Sequence, residues 1–272
     1  MSRFLIEEYL SMLPLLVEAY WANRQAMRGE PVSFGPHPQQ ALLLYEPPAG
    51  VERQETAIVF IHGGGWQSGA PALFRFMGDF FARRGFPTLL LGYRLAPSFK
   101  FPAQLDDIYA GCEAGILALR QRSVVPTRWV LGGQSAGAQL AALVAYADRM
   151  RCEALFGRLA GLFLISAPVD FSLCTTGDVA RLLASFTGNE DNHRLADPMG
   201  YLTGGETLPV LLIHGDRDAT VDPQNSLAFA AKVGAAARVY RAGGWHHSDL
   251  SKIFLRPHLP ETAVLMAWLK TL

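Results

Sequence analysis

The sequence has little of several features that mark specialised classes of protein. It contains three widely spaced cysteines, Cys112, Cys152 and Cys174, with no CxxC pair and no histidine at metal-ligand spacing. This argues against a disulfide scaffold or a structural zinc site and favours a reducing compartment. Lysine plus arginine and aspartate plus glutamate number 24 each among 272 residues, so no excess charge attracts nucleic acid or anionic membranes. We therefore predict a cytoplasmic protein without nucleic-acid or membrane partners.

The sequence also lacks an apolar run long enough to span a bilayer. The longest uncharged run near the N-terminus, 9–17, lies between Glu8 and Glu18 and contains Pro14. No basic region precedes it and no small-residue cleavage site follows it, so a signal peptide is not predicted. We expect residues 1–30 to form one or two amphipathic helices added to the core.

What the sequence does contain is ample core material, because half of its residues are hydrophobic and only 18% are charged. Runs rich in valine, isoleucine and leucine predict strands at 41–45, 57–62, 87–93, 128–134, 159–166, 209–214 and 237–241. Helical patterns lie between and after them, at 71–84, 102–122, 136–149, 223–234 and 261–271. This alternation predicts one α/β domain over 1–272, a mostly parallel twisted sheet with helices on both faces. The region 171–208 is too long for a loop and is predicted to be a cap insertion.

The motif Gly-Gln-Ser-Ala-Gly at 133–137 follows a predicted strand and precedes a predicted helix. A tight strand-to-helix turn with small residues on both sides of a strained serine is typical of a nucleophile elbow. We therefore predict that Ser135 is a nucleophile. The backbone N–H of Ala136, at the start of the helix, is then placed to bind developing negative charge. The plain alternative is a glycine-flanked turn in which Ser135 caps the helix.

A second motif, His-Gly-Gly-Gly-Trp at 62–66, follows the strand predicted at 57–62. Three successive glycines weaken both helix and strand, so they suggest a local requirement for bare backbone. Backbone without side chains allows successive N–H groups to point at one oxyanion, which makes Gly64 and Gly65 candidate donors. A flexible turn is the alternative.

An acyl-transfer serine needs a histidine as base and a carboxylate that orients the histidine. Two later strand ends supply such residues. The candidate acids are Asp216, Asp218 and Asp222, and the candidate bases are His246 and His247. His214, which ends a strand before these acids, is expected to be structural, since a buried histidine is often simply hydrogen-bonded.

Together these motifs resemble the α/β-hydrolase superfamily and, within it, the hormone-sensitive-lipase-like (family IV) carboxylesterases. They are HGGGW at 62–66, YRLAP at 93–97, GQSAG at 133–137 and HGDRD at 214–218. The resemblance implies the α/β-hydrolase fold with small cap elements. It implies that Ser135 is the nucleophile, Asp218 the acid and His246 the base, with His246 preferred to His247 as the histidine of a G-x-x-H turn. It further implies Gly64, Gly65 and Ala136 as oxyanion donors.

The expected activity is hydrolysis of small esters, with short acyl chains or aryl groups, through an acyl-enzyme and without metal or organic cofactor. The segment 34–40, with Trp66, also resembles the arylformamidase (kynurenine formamidase-like) group. That resemblance implies an alternative, the hydrolysis of N-formyl aryl amides such as N-formylkynurenine. A non-catalytic ligand receptor on the same scaffold is a third alternative, but all three candidate triad residues are present. The sequence also allows a homodimer.

Aromatic residues in the two cap pieces offer a lining for a substrate pocket. They are Phe4, Tyr9, Trp21, Phe171, Phe186 and Tyr201. For most of them we expect simple packing of the cap onto the core. The sequence gives no evidence of the exposed apolar lid that helps a lipase act at an interface.

Overall fold

The computed structural model describes residues 3–157 and 159–272, with side chains from residue 12 onward. The described residues form one sheet of eight strands. These are β1 (Glu30–Ser33), β2 (Ala41–Tyr45), β3 (Thr56–Ile61), β4 (Thr88–Leu91), β5 (Arg128–Gln134), β6 (Leu159–Ile165), β7 (Val210–Gly215) and β8 (Ala237–Ala242). They lie in the order β1-β2-β4-β3-β5-β6-β7-β8; β2 is antiparallel to β1 and β4, and the other neighbours are parallel. The prediction of a mostly parallel sheet is confirmed.

Helices cover both faces of this sheet. The α-helices are α1 (Arg3–Gln25), α2 (Arg75–Ala82), α3 (Ala103–Gln121), α4 (Ala136–Tyr146), α5 (Arg149–Phe156), α6 (Gly177–Thr187), α7 (Glu190–Ala196), α8 (Gln224–Val233), α9 (Lys252–Leu255) and α10 (Pro260–Leu269). Short 3-10 turns cover Pro71–Leu73, Phe171–Leu173, Pro198–Tyr201 and Ser248–Ser251. Helices α3, α4 and α8 pack on one face of the sheet, and α2, α9 and α10 pack on the other.

The central strand β3 explains why both faces are covered. All six of its residues are buried. Ala57, Val59 and Ile61 belong to the apolar cluster on one face, and Ile58 and Phe60 belong to the cluster on the other. Because successive side chains of a strand point to opposite faces, a continuous apolar run must be buried on both sides.

Two elements differ from the predicted pattern. Strand β1 is absent from the predicted strands, because its sequence EPVS is short and contains Pro31. It forms the edge of the sheet and pairs with β2, and an edge is where a strand tolerates proline. The helix predicted at 136–149 ends at Tyr146, and the helix α5, which the pattern did not predict, begins at Arg149. The Asp148 carboxylate accepts a hydrogen bond from the Arg151 backbone N–H and caps this new helix.

The two additions to the core are partly helical. The first holds the single helix α1, and the region 171–208 holds α6 and α7 with two 3-10 turns. Their assignment as caps of a single domain stays a prediction. Within the described residues, every helix is too short or too polar to cross a bilayer.

Candidate active site

Ser135 occupies a sharp turn between β5 and α4. Its backbone has φ 54° and ψ −124°, a conformation that is strained for a residue with a side chain. A Cβ atom added at Gly133 would lie 2.5 Å from the backbone of Gly137, and one added at Gly137 would lie 2.2 Å from the Ile61 carbonyl oxygen. Both flanking positions therefore require glycine. Among the described residues the Ser135 side chain makes no capping hydrogen bond to α4, so the helix-cap alternative does not describe it.

His247 lies beside this serine. Its Nε2 atom is 2.9 Å from Ser135 Oγ, and its Nδ1 atom is 2.7 Å from Asp218 Oδ2. These partners assign the tautomer in which Nδ1–H donates to the carboxylate and Nε2 accepts from the hydroxyl. The imidazole is mostly buried, with 15% of its side chain exposed. A serine, a histidine and a carboxylate thus form one continuous hydrogen-bonded chain.

The prediction that His246 occupies this place is wrong. The His246 backbone N–H donates to Asp249 Oδ2 at 2.9 Å, which fixes this residue at the start of the turn Ser248–Ser251. His246 is buried, and its Nδ1 atom has no hydrogen-bond partner among the described residues. The G-x-x-H spacing identified the correct turn, but the turn directs the next residue, His247, towards the serine.

Asp218 is held by donors on both of its oxygen atoms. Besides His247, the Ser166 hydroxyl donates to Oδ2 at 2.8 Å. The backbone N–H groups of Thr220 and Val221 donate to Oδ1 at 3.0 and 2.8 Å. A buried carboxylate with this many donors has a fixed orientation.

His214 also contacts this carboxylate. Its Nε2 atom lies 3.2 Å from Asp218 Oδ2 and 3.0 Å from the Val221 carbonyl oxygen, and its Nδ1 atom lies 2.7 Å from Ser226 Oγ. Burial by itself would raise the pKa of Asp218. The charge of His247 and the hydrogen bonds from His214 and His247 outweigh that effect and hold the pKa of Asp218 well below its usual value. The carboxylate is therefore ionised at neutral pH.

The other two candidate acids have different partners. Asp216 accepts a hydrogen bond from the Gly244 backbone N–H at 2.6 Å, and Asp222 accepts one from the Gln224 backbone N–H at 2.8 Å. Both side chains stabilise turns. Of the three candidate acids, the structure therefore brings Asp218 against His247, the histidine that contacts Ser135.

The glycine loop at 62–66 packs against the serine turn. A Cβ atom added at Gly63 would lie 2.9 Å from the Gln134 carbonyl oxygen and 3.3 Å from Ser135 Cβ. Gly64 and Gly65 have φ values of +121° and +59°, which glycine adopts readily. Ala136 is the first residue of α4, so its N–H has no acceptor within the helix. The glycine loop, whose backbone carries no side chains at 63–65, and the first residue of α4 therefore flank Ser135.

Aromatic stacking fixes the first residue of this loop. The His62 ring lies between those of Phe74 and Tyr93, with centroids 5.3 and 4.6 Å away. The Tyr93 hydroxyl donates to the His62 carbonyl oxygen at 3.0 Å, and His62 Nδ1 donates to the Gly63 carbonyl oxygen at 2.7 Å. Burial lowers the pKa of His62 to about 4, so the ring is neutral at physiological pH.

The last residue of the loop connects it to the region 171–208. The Trp66 indole N–H donates to Gln139 Oε1 at 2.9 Å, and the Gln139 amide donates to the Ala196 carbonyl oxygen at 2.6 Å. The Trp66 ring stacks on Phe186 of α6 with centroids 4.7 Å apart. The loop is therefore braced from both sides. Sequence reasoning missed the supporting roles of Gln139 and Ala196, because no local motif links them to the loop.

The aromatic residues suggested as pocket lining differ in how far they are buried. Phe171 and Phe186 are buried, which agrees with plain packing, while Tyr201 is partly buried. Trp21 is exposed. The side chains of Phe4 and Tyr9 lie outside the described residues.

The three cysteines, Cys112, Cys152 and Cys174, are buried and free. Within the residues that the structure describes, no cluster of three or more histidine, cysteine or acidic side chains could hold a metal ion. Burial raises the pKa of all three thiols, so none is a reactive thiolate at neutral pH.

Comparisons with known proteins agree with this architecture. The family model BD-FAE matches residues 42–233. A thermophilic esterase of Thermogutta terrifontis superposes with a TM-score of 0.70, at 22% identity over 89% of this chain and 91% of its own. The α/β-hydrolase fold is thereby confirmed.

Curated relatives match this chain over only part of their own length. A probable isoprenylcysteine alpha-carbonyl methylesterase of Arabidopsis thaliana is 25% identical over 85% of this chain and 59% of its own length. An arylacetamide deacetylase of Oryctolagus cuniculus is 35% identical over 38% of this chain and 27% of its own. The chain therefore spans less than two thirds of either relative. The resemblance to the arylformamidase group stays a prediction.

Proposed function

Because the chain belongs to the BD-FAE family, we propose that it is a serine carboxylesterase that hydrolyses small esters through an acyl-enzyme. The observation that carries this proposal is the continuous chain Ser135–His247–Asp218, with contacts of 2.9 and 2.7 Å. A hydroxyl on a strained turn, a histidine in hydrogen-bond reach and a buried ionised carboxylate are the parts that acyl transfer needs.

In the first half of the reaction, Ser135 Oγ attacks the ester carbonyl carbon while His247 Nε2 takes the hydroxyl proton. The tetrahedral intermediate then collapses as His247 returns that proton to the leaving alcohol oxygen, and the carbon–oxygen bond to the alcohol breaks. In the second half, His247 removes a proton from water as the water oxygen attacks the acyl carbon. The bond between this carbon and Ser135 Oγ then breaks, His247 returns the proton to Oγ, and the carboxylic acid leaves. Asp218 keeps Nε2 unprotonated at the start and stabilises the imidazolium formed in each half.

The negative charge on the carbonyl oxygen needs donors that are in place beforehand. The N–H groups of Gly64, Gly65 and Ala136 are the proposed donors, because their segments flank Ser135 and lack competing side chains. Fixed positions of His62 and Trp66 support this role, since a braced loop loses little entropy when the charge develops.

Short acyl or aryl esters are the proposed substrates. The names of two relatives mention a methylester of isoprenylcysteine and an arylacetamide. Each name describes a substrate in which a small leaving group or acyl group lies next to an apolar group. This supports small esters as the proposed substrate class for this chain.

The test is hydrolysis of p-nitrophenyl esters from acetate to decanoate by the wild type and by Ser135→Ala. We expect activity to be highest on the short chains and to fall by several orders of magnitude in the variant. N-Formylkynurenine is assayed in parallel. Full activity in Ser135→Ala would overturn the nucleophile assignment. Formate release without ester hydrolysis would replace the esterase by an arylformamidase, and inactivity on both substrate types would favour a ligand receptor.

A further inference from the structure

Helix α1 is apolar on two opposite sides. Its inward side carries Leu15, Ala19 and Ala22, at spacings that place them on one helix face, and Ala26 follows directly after the helix. Leu15 is buried, and the three alanines pack against the cluster beneath α2 and α9. A helix packed on a protein surface normally presents polar residues on its other side. Between residues 12 and 21, the outward side of this helix carries large apolar residues instead.

The outward side of α1 carries five large apolar side chains, which we call the outer face. They are Leu13, Leu16, Val17, Tyr20 and Trp21, and their exposed fractions lie between 54% and 62%. Their spacing of i, i+3, i+4, i+7 and i+8 places them on one side of the helix. Single exposed apolar residues are ordinary, but a contiguous set of this size marks an interaction surface.

A neighbouring turn extends the outer face. The Asn23 side-chain amide donates to the Ala72 carbonyl oxygen at 2.7 Å, which joins α1 to the turn Pro71–Leu73. The next residue, Leu73, is 61% exposed. An exposed apolar residue of a second segment therefore lies one residue from a contact with α1.

The outer face is held in a fixed position. The Arg256 guanidinium pairs with the Glu18 carboxylate at 2.7 Å, and the Met27 backbone N–H donates to Asp79 at 3.1 Å. Helix α1 also packs against the turn Ser248–Ser251, which begins directly after His247.

Polarity changes along the outer face. Leu13, Leu16 and Val17 form a purely apolar part, followed by Tyr20 and Trp21, whose rings meet edge to face at 5.5 Å. Tyrosine and tryptophan combine an apolar body with a polar tip, which suits them to the boundary between lipid chains and water.

Cationic side chains lie at the aromatic end. The Arg24 guanidinium lies 5.8 Å from the centre of the Tyr20 ring and donates to the Tyr20 hydroxyl at 3.2 Å. Arg28, just beyond the helix, is also exposed. Between residues 12 and 28 the single acidic residue is Glu18, which is paired with Arg256. Two copies of this face would bring cations together without an acidic partner, whereas anionic lipid headgroups complement them.

From these observations we infer that the outer face of α1 binds the surface of an anionic lipid bilayer, with the leucine and valine side chains among the acyl chains and Arg24 and Arg28 at the headgroups. The helix lies along the membrane plane and does not cross it. This inference departs from the sequence-based expectation of no membrane partner, and it does not depend on the proposed esterase activity.

The test is sedimentation of the whole protein with vesicles of phosphatidylcholine, alone or mixed equally with phosphatidylglycerol. We expect binding to the mixed vesicles that weakens as salt is added, and much weaker binding to phosphatidylcholine alone. The double variant Leu16→Glu/Val17→Glu should reduce binding by about tenfold or more. It replaces two apolar side chains by carboxylates, which the anionic headgroups repel. Met150→Glu, which alters an 85% exposed residue on α5, is the matched control and should bind like the wild type.

Two further measurements separate binding from misfolding. All variants should keep the wild-type thermal midpoint and the wild-type rate on p-nitrophenyl acetate, since the altered side chains are exposed. Trp21 fluorescence should shift to shorter wavelength with mixed vesicles, and Trp21→Phe should lose that shift.

Two results would overturn the inference. One is that the wild type and the double variant sediment equally with mixed vesicles, or that neither protein sediments with them. The other is a dimer of the wild type in light scattering that the double variant converts to a monomer, because a second copy of the chain would then cover the outer face.

Discussion

His247 Nε2 lies 2.9 Å from Ser135 Oγ, although the two residues are 112 positions apart, whereas the buried Nδ1 atom of the neighbouring His246 has no hydrogen-bond partner among the described residues. The difference arises in the turn after β8, where the Asp249 carboxylate holds the His246 backbone N–H. That contact holds His246 just before the turn Ser248–Ser251, and the next residue, His247, reaches the serine. The identity of the proposed base is therefore set by a carboxylate that lies just beyond both histidines in the chain.

The two histidines allow a paired test of this assignment. His247→Ala should lower kcat/KM on p-nitrophenyl acetate by about 10³-fold or more, because the serine loses its general base. His246→Ala should stay within about tenfold of the wild type, since its imidazole contacts neither Ser135 nor Asp218. Steady-state kinetics of both variants at one pH is the measurement. A greater loss in His246→Ala than in His247→Ala would contradict the assignment.

Ser166 should act as a positioning residue. Its hydroxyl donates to Asp218 Oδ2 at 2.8 Å, beside the contact with His247 Nδ1. A hydrogen bond to a charged group contributes about 1.5–3 kcal/mol, so Ser166→Ala should lower kcat by about tenfold or more. KM should change little, because the hydroxyl faces the carboxylate. A pure rise in KM at constant kcat would show that Ser166 acts on substrate binding instead.

Gly137→Ala should strongly destabilise the fold. The new Cβ atom would lie 2.2 Å from the Ile61 carbonyl oxygen, so β3 and α4 must separate at the serine turn. Overpacking of this kind costs about 1–3 kcal/mol, or more where backbone is the obstacle. Urea unfolding measures the loss. Gly243→Ala is the matched control, because a Cβ atom added there would meet nothing within 4 Å and its φ is not positive; an equal loss there would refute the steric explanation.

Acid should destabilise the protein partly through His62. Burial lowers the pKa of His62 to about 4 in the folded protein, compared with an unfolded value of about 6.5. Between these values the unfolded chain binds more protons, so the free energy of unfolding falls as the pH decreases from about 6.5 to about 4. The full effect is about 3 kcal/mol.

His62→Gln removes this titration while keeping a polar side chain. Urea unfolding at pH 7 and pH 4.5 should therefore show a smaller pH dependence in the variant than in the wild type, whatever its stability at pH 7. Identical pH dependence in both proteins would contradict the assigned cause.

Much of the fold is predictable from local pattern. The buried strands β3, β5, β6 and β7 stand out because both of their faces must be apolar, which leaves a continuous signal in the sequence. Strand β1 has no such signal, since an edge strand needs only partial burial and accepts Pro31. Its pairing with β2 becomes visible only when the sheet is assembled.

The sequence by itself determined the serine turn and the glycine loop, because both depend on short-range sterics. Gly133, Gly137 and Gly64 are required where backbone approaches backbone or φ is positive. Requirements of this kind appear in the sequence as short local motifs. The choice of His247 and the hydroxyl of Ser166 on the acid depended instead on packing between segments far apart in the chain. The exposure of the outer face of α1 also depended on tertiary packing. Periodicity identifies the apolar positions of a helix but does not show which of them another segment covers.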